Sequence, residues 1–262
     1  MKKLTRRELV GVGAAAATTA IGLRNVQAQA AVGRTLTIGA RPQAITLNTG
    51  KTAVIVVDMQ NDFGAKGGMF DRAGIDISGI QSAVVKTAGV LKLARKAGIS
   101  VIYLKMAFRP DLSDLGAPDS INRARHLAFG AGKAVTAPDG RASRIMIRDT
   151  WNTDIVDELK PRAADIVIYK SRFSGFYKTD LDDRLKTLGA RHLIVTGCTT
   201  SICVESTVRD AMFRDYHCVL LADCMSEPIG HDLPRSNHDA SLLSVQMLLG
   251  SVSDSTAFGN AV

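Results

Sequence analysis

Five short runs of apolar, mostly β-branched residues recur along the chain, and they constrain its fold more than any other feature. They are Thr52–Val57, Ser100–Leu104, Asp165–Tyr169, His192–Thr196 and Cys218–Ala222. Runs without polar alternation are typical of strands that are buried on both faces of a parallel sheet. Helical patterns separate the runs, so the sequence predicts a three-layer α/β/α sandwich around a mostly parallel sheet.

The segments between these strands are of two kinds. Apolar residues at helical spacing predict helices over Ile80–Ala97, which stops before Gly98, over Leu181–Leu188 and over Ile202–Phe213. The segment 106–148 is long, polar and interrupted by proline and glycine. A connection of that length inside a compact domain usually serves or covers a binding site.

The first thirty residues have the features of an export signal. Lysines and the pair Arg6-Arg7 precede a short, weakly apolar run, and small residues suited to cleavage follow. The arginine pair resembles a twin-arginine signal, so we expect a periplasmic or secreted protein. A Sec signal or a retained N-terminal anchor is the alternative. The predicted divisions are a signal (1–30), an N-terminal arm (31–50) and one α/β domain (51–262).

The net charge of +8 would ordinarily suggest nucleic acid or an anionic membrane as a partner. The predicted signal accounts for four of these charges, since it holds five basic residues and one acidic residue. The remaining basic residues are scattered among acidic ones without a basic stripe. We therefore expect no nucleic acid and, after removal of the signal, no membrane as a partner.

Three polar residues lie at the predicted ends of strands. Asp58 follows the first run, Lys170 follows the third, and Cys203 comes a few residues after the fourth. Parallel strands end at the same edge of the sheet, where ligands bind, so we expect the three side chains to converge. Taken singly, each has a plainer interpretation as a helix cap, a solvated charge or a buried small residue.

An aspartate, a lysine and a cysteine together suit nucleophilic attack on an acyl carbon. Lys170 is expected to lower the pKa of the Cys203 thiol, and Asp58 to take its proton and pass it to a leaving nitrogen. Backbone amides of the turn 197–203 would bind a developing oxyanion. None of the five histidines follows a strand end beside this cluster, which disfavours a Cys-His pair.

The other cysteines have less to do with this chemistry. Cys198 and Cys218 lie at the ends of apolar strands, where burial as small apolar residues is the simplest interpretation. A disulfide between Cys218 and Cys224 stays open as an alternative, because an exported protein meets an oxidising compartment.

Three segments in order resemble motifs of the isochorismatase-like cysteine hydrolases: Val54–Phe63, Lys170–Phe176 and Thr196–Val204. The resemblance extends from about residue 51 to about residue 250 and implies an isochorismatase-like fold with a Rossmann-like topology. It also implies the functional groups, which are the triad Asp58, Lys170 and Cys203, oxyanion-hole amides of Thr199 and Cys203, and a cis peptide between Cys198 and Thr199.

Within that family, the stretch from Trp151 to Asp210 is similar to the ureidoacrylate amidohydrolases, to which biuret hydrolases are related. This implies cleavage of a C–N bond in a small amide, ureide or carbamate through a thioester, and a homo-oligomer. The segment Lys105–Pro110 lacks the histidines with which the nicotinamidase branch binds a metal, so no metal or other cofactor is expected. The export signal is a second departure, because pyrimidine breakdown is cytosolic.

The substrate pocket is expected between the triad and the segment 106–148. Its predicted walls are aromatic and amide side chains near the motifs: Asn61, Phe63, Phe108, Trp151, Phe176 and Tyr177. Arg109, Arg123 or Arg125 would pair with a substrate carboxylate. Core packing of the aromatic residues and solvation of the arginines are the simpler interpretations.

Two other functions stay open on the sequence. A vinyl ether hydrolase of the isochorismatase type shares the fold but tends to lack the nucleophilic cysteine. A non-catalytic periplasmic binding protein would not need all three polar residues. A Rossmann-type nucleotide binder is disfavoured, because Gly64–Gly68 does not have the Gly-x-Gly-x-x-Gly spacing that cradles a pyrophosphate.

Overall fold

The computed structural model describes residues 33–262, so the predicted signal and the first two residues of the arm lie outside it. The strands are β1 (Thr35–Ile38), β2 (Ile45–Asn48), β3 (Thr52–Val57), β4 (Ser100–Met106), β5 (Ala134–Thr136), β6 (Ala142–Arg144), β7 (Ile166–Lys170), β8 (His192–Cys198), β9 (His217–Ser226) and β10 (Gly250–Ser253). The α-helices are α1 (Asn61–Gly64), α2 (Met69–Arg72), α3 (Ser78–Lys96), α4 (Ile121–Ala128), α5 (Leu181–Thr187), α6 (Glu205–Met212), α7 (Asn237–Ser244) and α8 (Ser255–Ala261).

Six strands form one parallel sheet in the order β10, β9, β8, β3, β4, β7. The chain moves to one side of β3 to form β4 and β7, and to its other side to form β8, β9 and β10. In open α/β sheets, ligands bind beyond the carboxyl ends of the strands where the strand order reverses in this way. That point lies beside Asp58, the residue after β3.

The buried side chains divide into two cores, one on each face of the sheet. Along β3, Val54 and Val56 belong to the core that includes Val84 of α3. Ile55 belongs to the core that includes Val208 of α6. This alternation follows from the two-residue period of a strand, and it confirms the predicted three-layer architecture.

The N-terminal arm contains a hairpin in which β1 pairs with β2 in antiparallel register. Leu36 and Ile38 on β1, with Ile45 and Leu47 on β2, belong to the same core as α3. Their alternation with polar residues is the ordinary signal of a half-buried strand. That signal is present in the sequence, although the arm was predicted without strands.

The segment 106–148 holds more regular structure than its polar composition indicated. It contains α4 and the antiparallel pair β5 and β6. The chain after residue 226 adds α7, α8 and the edge strand β10, whose Gly250, Ser251 and Ser253 give no apolar run. Among residues 33–262, no helix is long and apolar enough to cross a membrane.

Candidate active site

Strand order brings two of the predicted groups together beyond the carboxyl edge of the sheet. Asp58 follows β3 and Lys170 is the last residue of β7, with β4 between these two strands. The backbone N–H of Asp58 donates to the carbonyl of Leu104 at 2.9 Å, and Met106 is paired in register with Lys170. The two side chains therefore meet across the end of β4.

Asp58 and Lys170 form a buried ion pair. The Lys170 ammonium lies 2.7 Å from Asp58 Oδ2, and the two side chains are 1% exposed or less. The other carboxylate oxygen accepts from the backbone N–H of Met106 at 2.9 Å, while the ammonium also donates to the carbonyl of Arg172 at 3.2 Å. Such hydrogen bonds help to offset the cost of removing two charges from water.

The backbone at Asp58 has φ of 52°, in the left-handed region that residues other than glycine seldom adopt. Strain of this kind persists where the surrounding structure enforces it, and it is concentrated at functional sites. Asp58 Oδ2 accepts no backbone hydrogen bond among the described residues, and the carboxylate lies beside the Lys170 ammonium and the Cys203 thiol. This oxygen therefore keeps a lone pair that can accept a proton.

Cys203 completes the cluster from the other side of β3. It lies in a π-helical turn, Thr200–Val204, which leads directly into α6. The thiol is close enough to Asp58 and Lys170 to influence the pKa of each. The structure thus brings together the three residues that the sequence singled out. The helix predicted over Ile202–Phe213 is replaced at its start by this π-helical turn, a feature that is frequent at functional sites.

Hydrogen bonds to the end of β8 and to the chain after β9 hold the turn that carries Cys203. The backbone N–H groups of Ile202 and Val204 donate to the carbonyl of Thr199, each at 3.2 Å. The carboxylate of buried Glu227 accepts from the N–H of Ser201 at 3.0 Å. Sequence patterns gave no sign of Glu227, because the predicted strand Cys218–Ala222 ends five residues before it, whereas β9 continues to Ser226.

Burial raises the pKa of the Cys203 thiol well above its ordinary value. Lys170 opposes this rise, and Asp58 adds to it. Lys170 lowers the pKa of the thiol, as expected, but the ammonium offsets only part of the cost of burying a thiolate. Sulfur attacks as a thiolate, so Cys203 must lose its proton when it acts as the nucleophile.

The two charged groups differ in how burial affects them. Burial raises the pKa of Asp58, against the lowering influence of Lys170 and of the hydrogen bonds it accepts. For Lys170, burial alone would lower the pKa, but its interactions with Asp58 and Cys203 outweigh burial and the pKa is raised. Lys170 therefore stays an ammonium, and Asp58 is a stronger base than an exposed carboxylate.

The end of β8 has the backbone geometry that the family resemblance implied. The peptide bond between Cys198 and Thr199 is cis, which confirms that prediction. The preceding Gly197 has φ of 130°, and a Cβ atom there would lie 2.1 Å from the carbonyl oxygen of Val57. Only glycine fits this close approach between β8 and β3.

Gly197→Ala is expected to lower the free energy of unfolding by about 3 kcal/mol or more, because the methyl group meets backbone and the φ value is unfavourable. Chemical denaturation measures this change. Gly89→Ala in α3 is the matched control, since a Cβ there meets nothing within 4 Å. The control should be neutral or stabilising by up to about 1 kcal/mol. Equal stability of the two variants would show that Gly197 is not required.

One cavity of about 110 Å³ opens onto Asp58 and Cys203. Its wall is mostly apolar and suits a small substrate with few polar groups. The remaining lining residues are Phe63, Met69, Phe70, Ile75, Met106, Arg125, His126, Phe129, Met146, Phe173, Cys198, Thr199, Ile202 and Ile229. Thr199 and Cys203, the predicted sources of oxyanion-hole amides, thus border the same space.

The structure corrects most of the predicted pocket wall. Phe63 lines the cavity, but the other five residues do not. The side chain of Asn61 donates to the carbonyl of Trp151 at 2.8 Å, which places both residues away from the cavity. Phe108 is fully buried, Phe176 stacks on a tyrosine, and Tyr177 is 40% exposed. Core packing and solvent exposure explain these aromatic residues.

The structure also selects among the candidate arginines and adds a histidine. Arg125 lines the cavity, whereas Arg109 and Arg123 do not. Its neighbour His126 lines the cavity too and is buried. His126 follows no strand end, so its position in the sequence did not indicate a role, but α4 carries it to the site from the segment 106–148.

Asp62 supports the cavity wall from behind. Its buried carboxylate accepts from the backbone N–H groups of Met69 at 3.0 Å and Met146 at 2.7 Å, and both of these residues line the cavity. It also accepts from the side chain of Asn152 at 2.5 Å. Asp62 therefore joins α2 to the segment before residue 148.

Burial raises the pKa of Asp62 from 3.8 to about 6. Because the folded pKa is the higher one, the contribution of this group to stability is fully present below pH 3.8 and is lost as the pH rises through about 6. Relative to Asp62→Asn, the wild type should lose about 3 kcal/mol of stability over this interval, measured by urea denaturation at several pH values. A pH-independent difference between the wild type and Asp62→Asn would contradict this.

All four cysteines are free thiols and buried. Cys218 and Cys224 lie on the same strand, β9, six residues apart. At about 3.3 Å per residue, that separation is far beyond the reach of a disulfide. The alternative of a bridge between them is thereby excluded.

Comparison with known proteins gives a consistent result. The isochorismatase domain model matches residues 52–257. The ureidoacrylate amidohydrolase of Serratia proteamaculans is 37% identical over 228 residues, which cover 87% of this chain and 89% of that protein. Its counterpart in Agrobacterium fabrum is 39% identical, covering 72% of this chain and 81% of that protein.

A solved structure agrees with these relatives. A cysteine hydrolase from Pseudomonas syringae pv. phaseolicola superimposes with a TM-score of 0.68 at 28% identity, covering 82% of this chain and 96% of that one. The match to the family model spans most of the described residues, and all three motifs lie within the matched range. This chain therefore belongs to the isochorismatase family.

Proposed function

We propose that this protein is a cysteine-dependent amidohydrolase that cleaves a C–N bond of a small amide, ureide or carbamate. The observation that carries the proposal is the buried Asp58–Lys170 ion pair beside Cys203, at the end of a small apolar cavity. The names of the relatives support a ureide such as ureidoacrylate as the substrate.

In the first half-reaction, the sulfur of Cys203 attacks the carbonyl carbon and its proton passes to Asp58. The amides of Thr199 and Cys203 stabilise the negative charge that develops on the carbonyl oxygen. The C–N bond then breaks, and the proton on Asp58 moves to the leaving nitrogen. The products are a free amine and a thioester on Cys203.

In the second half-reaction, water hydrolyses the thioester. Asp58, again a carboxylate, takes a proton from the water as it attacks, and that proton returns to the sulfur when the C–S bond breaks. Lys170 stays charged throughout, so it stabilises the carboxylate in each step in which Asp58 is ionised. With a ureide, the released acid is a carbamate, which decomposes to ammonia and carbon dioxide.

The export signal and a homo-oligomeric state are parts of the same proposal. The pair Arg6-Arg7 supports twin-arginine export to the periplasm. Replacing both arginines with lysine should retain the protein in the cytoplasm, as measured by cell fractionation, and unchanged export would reject this route. Light scattering of the purified protein tests the oligomer, which a monomeric mass would rule out.

A substrate panel tests the proposed reaction. The purified protein is incubated with ureidoacrylate, biuret, a simple carbamate and an aromatic amide, and the release of ammonia or amine is measured. We expect turnover of at least one ureide or carbamate. A vinyl ether such as isochorismate serves as the comparison, and turnover of that compound alone would reject C–N cleavage.

A further inference from the structure

Among the described residues that line the cavity, His126 is the only histidine. The proposed reaction steps do not use its imidazole ring. It lies on α4 and is 5% exposed. It borders the cavity that contains Asp58 and Cys203. A buried polar side chain in a mostly apolar wall is costly unless it makes a hydrogen bond, so its partners are informative.

The ring of His126 is held in one orientation. Phe108 contacts it edge to face with centroids 5.1 Å apart, and Phe173 lies 5.6 Å away on another side. Nδ1 is 2.7 Å from the backbone carbonyl oxygen of Asn122. Because a carbonyl oxygen only accepts, Nδ1 carries the hydrogen.

The other ring nitrogen, Nε2, is therefore a hydrogen-bond acceptor when the ring is neutral. Burial lowers the pKa of His126, and the positive charges of Lys170 and Arg172 lower it further, against the hydrogen bond to Asn122. The ring is thus neutral at neutral pH. None of the described side chains or backbone groups donates to Nε2.

We propose that Nε2 of His126 accepts a hydrogen bond from an N–H of the bound substrate and so selects amides and ureides over esters. The carboxylate in the wall, Asp58, already contacts Lys170 and Met106, and its free lone pair is used for proton transfer in the proposed reaction. An N–H group that enters an apolar cavity loses its hydrogen bonds to water, so it binds well only where an acceptor replaces them. A site that supplies such an acceptor can favour substrates with the N–H over substrates without it by orders of magnitude. This proposal rests on the proposed amidohydrolase function.

The test compares two substrates in His126→Phe, which keeps an aromatic ring between Phe108 and Phe173 but removes the acceptor. With a ureide, kcat/KM should fall about 10- to 100-fold. With p-nitrophenyl acetate, an ester without an N–H, kcat/KM should change less than about threefold. His126→Gln, which offers an amide oxygen, should recover part of the loss on the ureide.

The controls distinguish a failure of the role proposed for His126 from a failure of the proposed amidohydrolase function. His217→Gln, at the opposite edge of the sheet, should leave both rates unchanged. Equal losses on the ureide and the ester in His126→Phe would show a structural role and overturn the proposal, as would an undiminished rate on the ureide. If the wild type cleaves the ester but no amide, ureide or carbamate, the proposed function fails and the assignment of His126 fails with it.

Discussion

Cys203→Ala is expected to lower kcat for amide hydrolysis by about 10⁴-fold or more, while the protein stays folded. Removal of a nucleophile from a catalytic triad has effects of this size, because the remaining groups cannot form the covalent intermediate. The loss of one buried sulfur atom costs only about 1 kcal/mol of stability. Steady-state kinetics and urea denaturation of the same preparation measure the two effects.

Cys218→Ala is the matched control, because it also removes a fully buried thiol but does not line the cavity. Its stability should fall by a similar amount, and its kcat should stay within about twofold of the wild type. Turnover by Cys203→Ala at a rate near that of Cys218→Ala would reject Cys203 as the nucleophile.

Lys170→Met is expected to reduce both stability and turnover. The substitution leaves the Asp58 carboxylate buried without its cation, which should cost about 3–5 kcal/mol of unfolding free energy. It also removes the charge that opposes the raised pKa of Cys203, so the thiol becomes harder to ionise. The loss of stability should be largest at neutral pH and smaller in acid, because protonation of Asp58 removes the unpaired charge.

Two further variants test this explanation. The double variant Asp58→Asn, Lys170→Met carries no buried charge at this place, so it should regain most of the lost stability without regaining activity. Lys160→Met breaks an exposed ion pair with Asp157 and should leave stability nearly unchanged, because solvent screens such pairs. A double variant as unstable as Lys170→Met would show that the ion pair is not the cause.

Sequence patterns predicted the features that depend on local periodicity and on the geometry of parallel sheets. The apolar run Thr52–Val57 forms the central strand with the predicted bounds. Asp58 and Lys170 converge because the carboxyl ends of parallel strands share an edge. The three motifs, read together, also led to the family that the comparisons confirm.

Features that depend on packing between distant segments were not predictable in this way. Whether Phe108 or His126 borders the cavity depends on how α4 folds back over the sheet, and both residues lie in one polar stretch of sequence. The raised pKa of Cys203 likewise follows from complete burial, which residue spacing does not reveal. The wall predictions for Trp151 and Phe176 failed for the same reason, since nearness to a motif in sequence is not nearness in space.

The most direct test of the central claim, a covalent intermediate on Cys203, is mass spectrometry of enzyme quenched in acid during turnover of a ureide. We expect a carbamoyl group on the peptide that contains Cys203, present during turnover and absent once the substrate is consumed. Rapid ureide turnover with that peptide unmodified, or with the adduct on another residue, would contradict it.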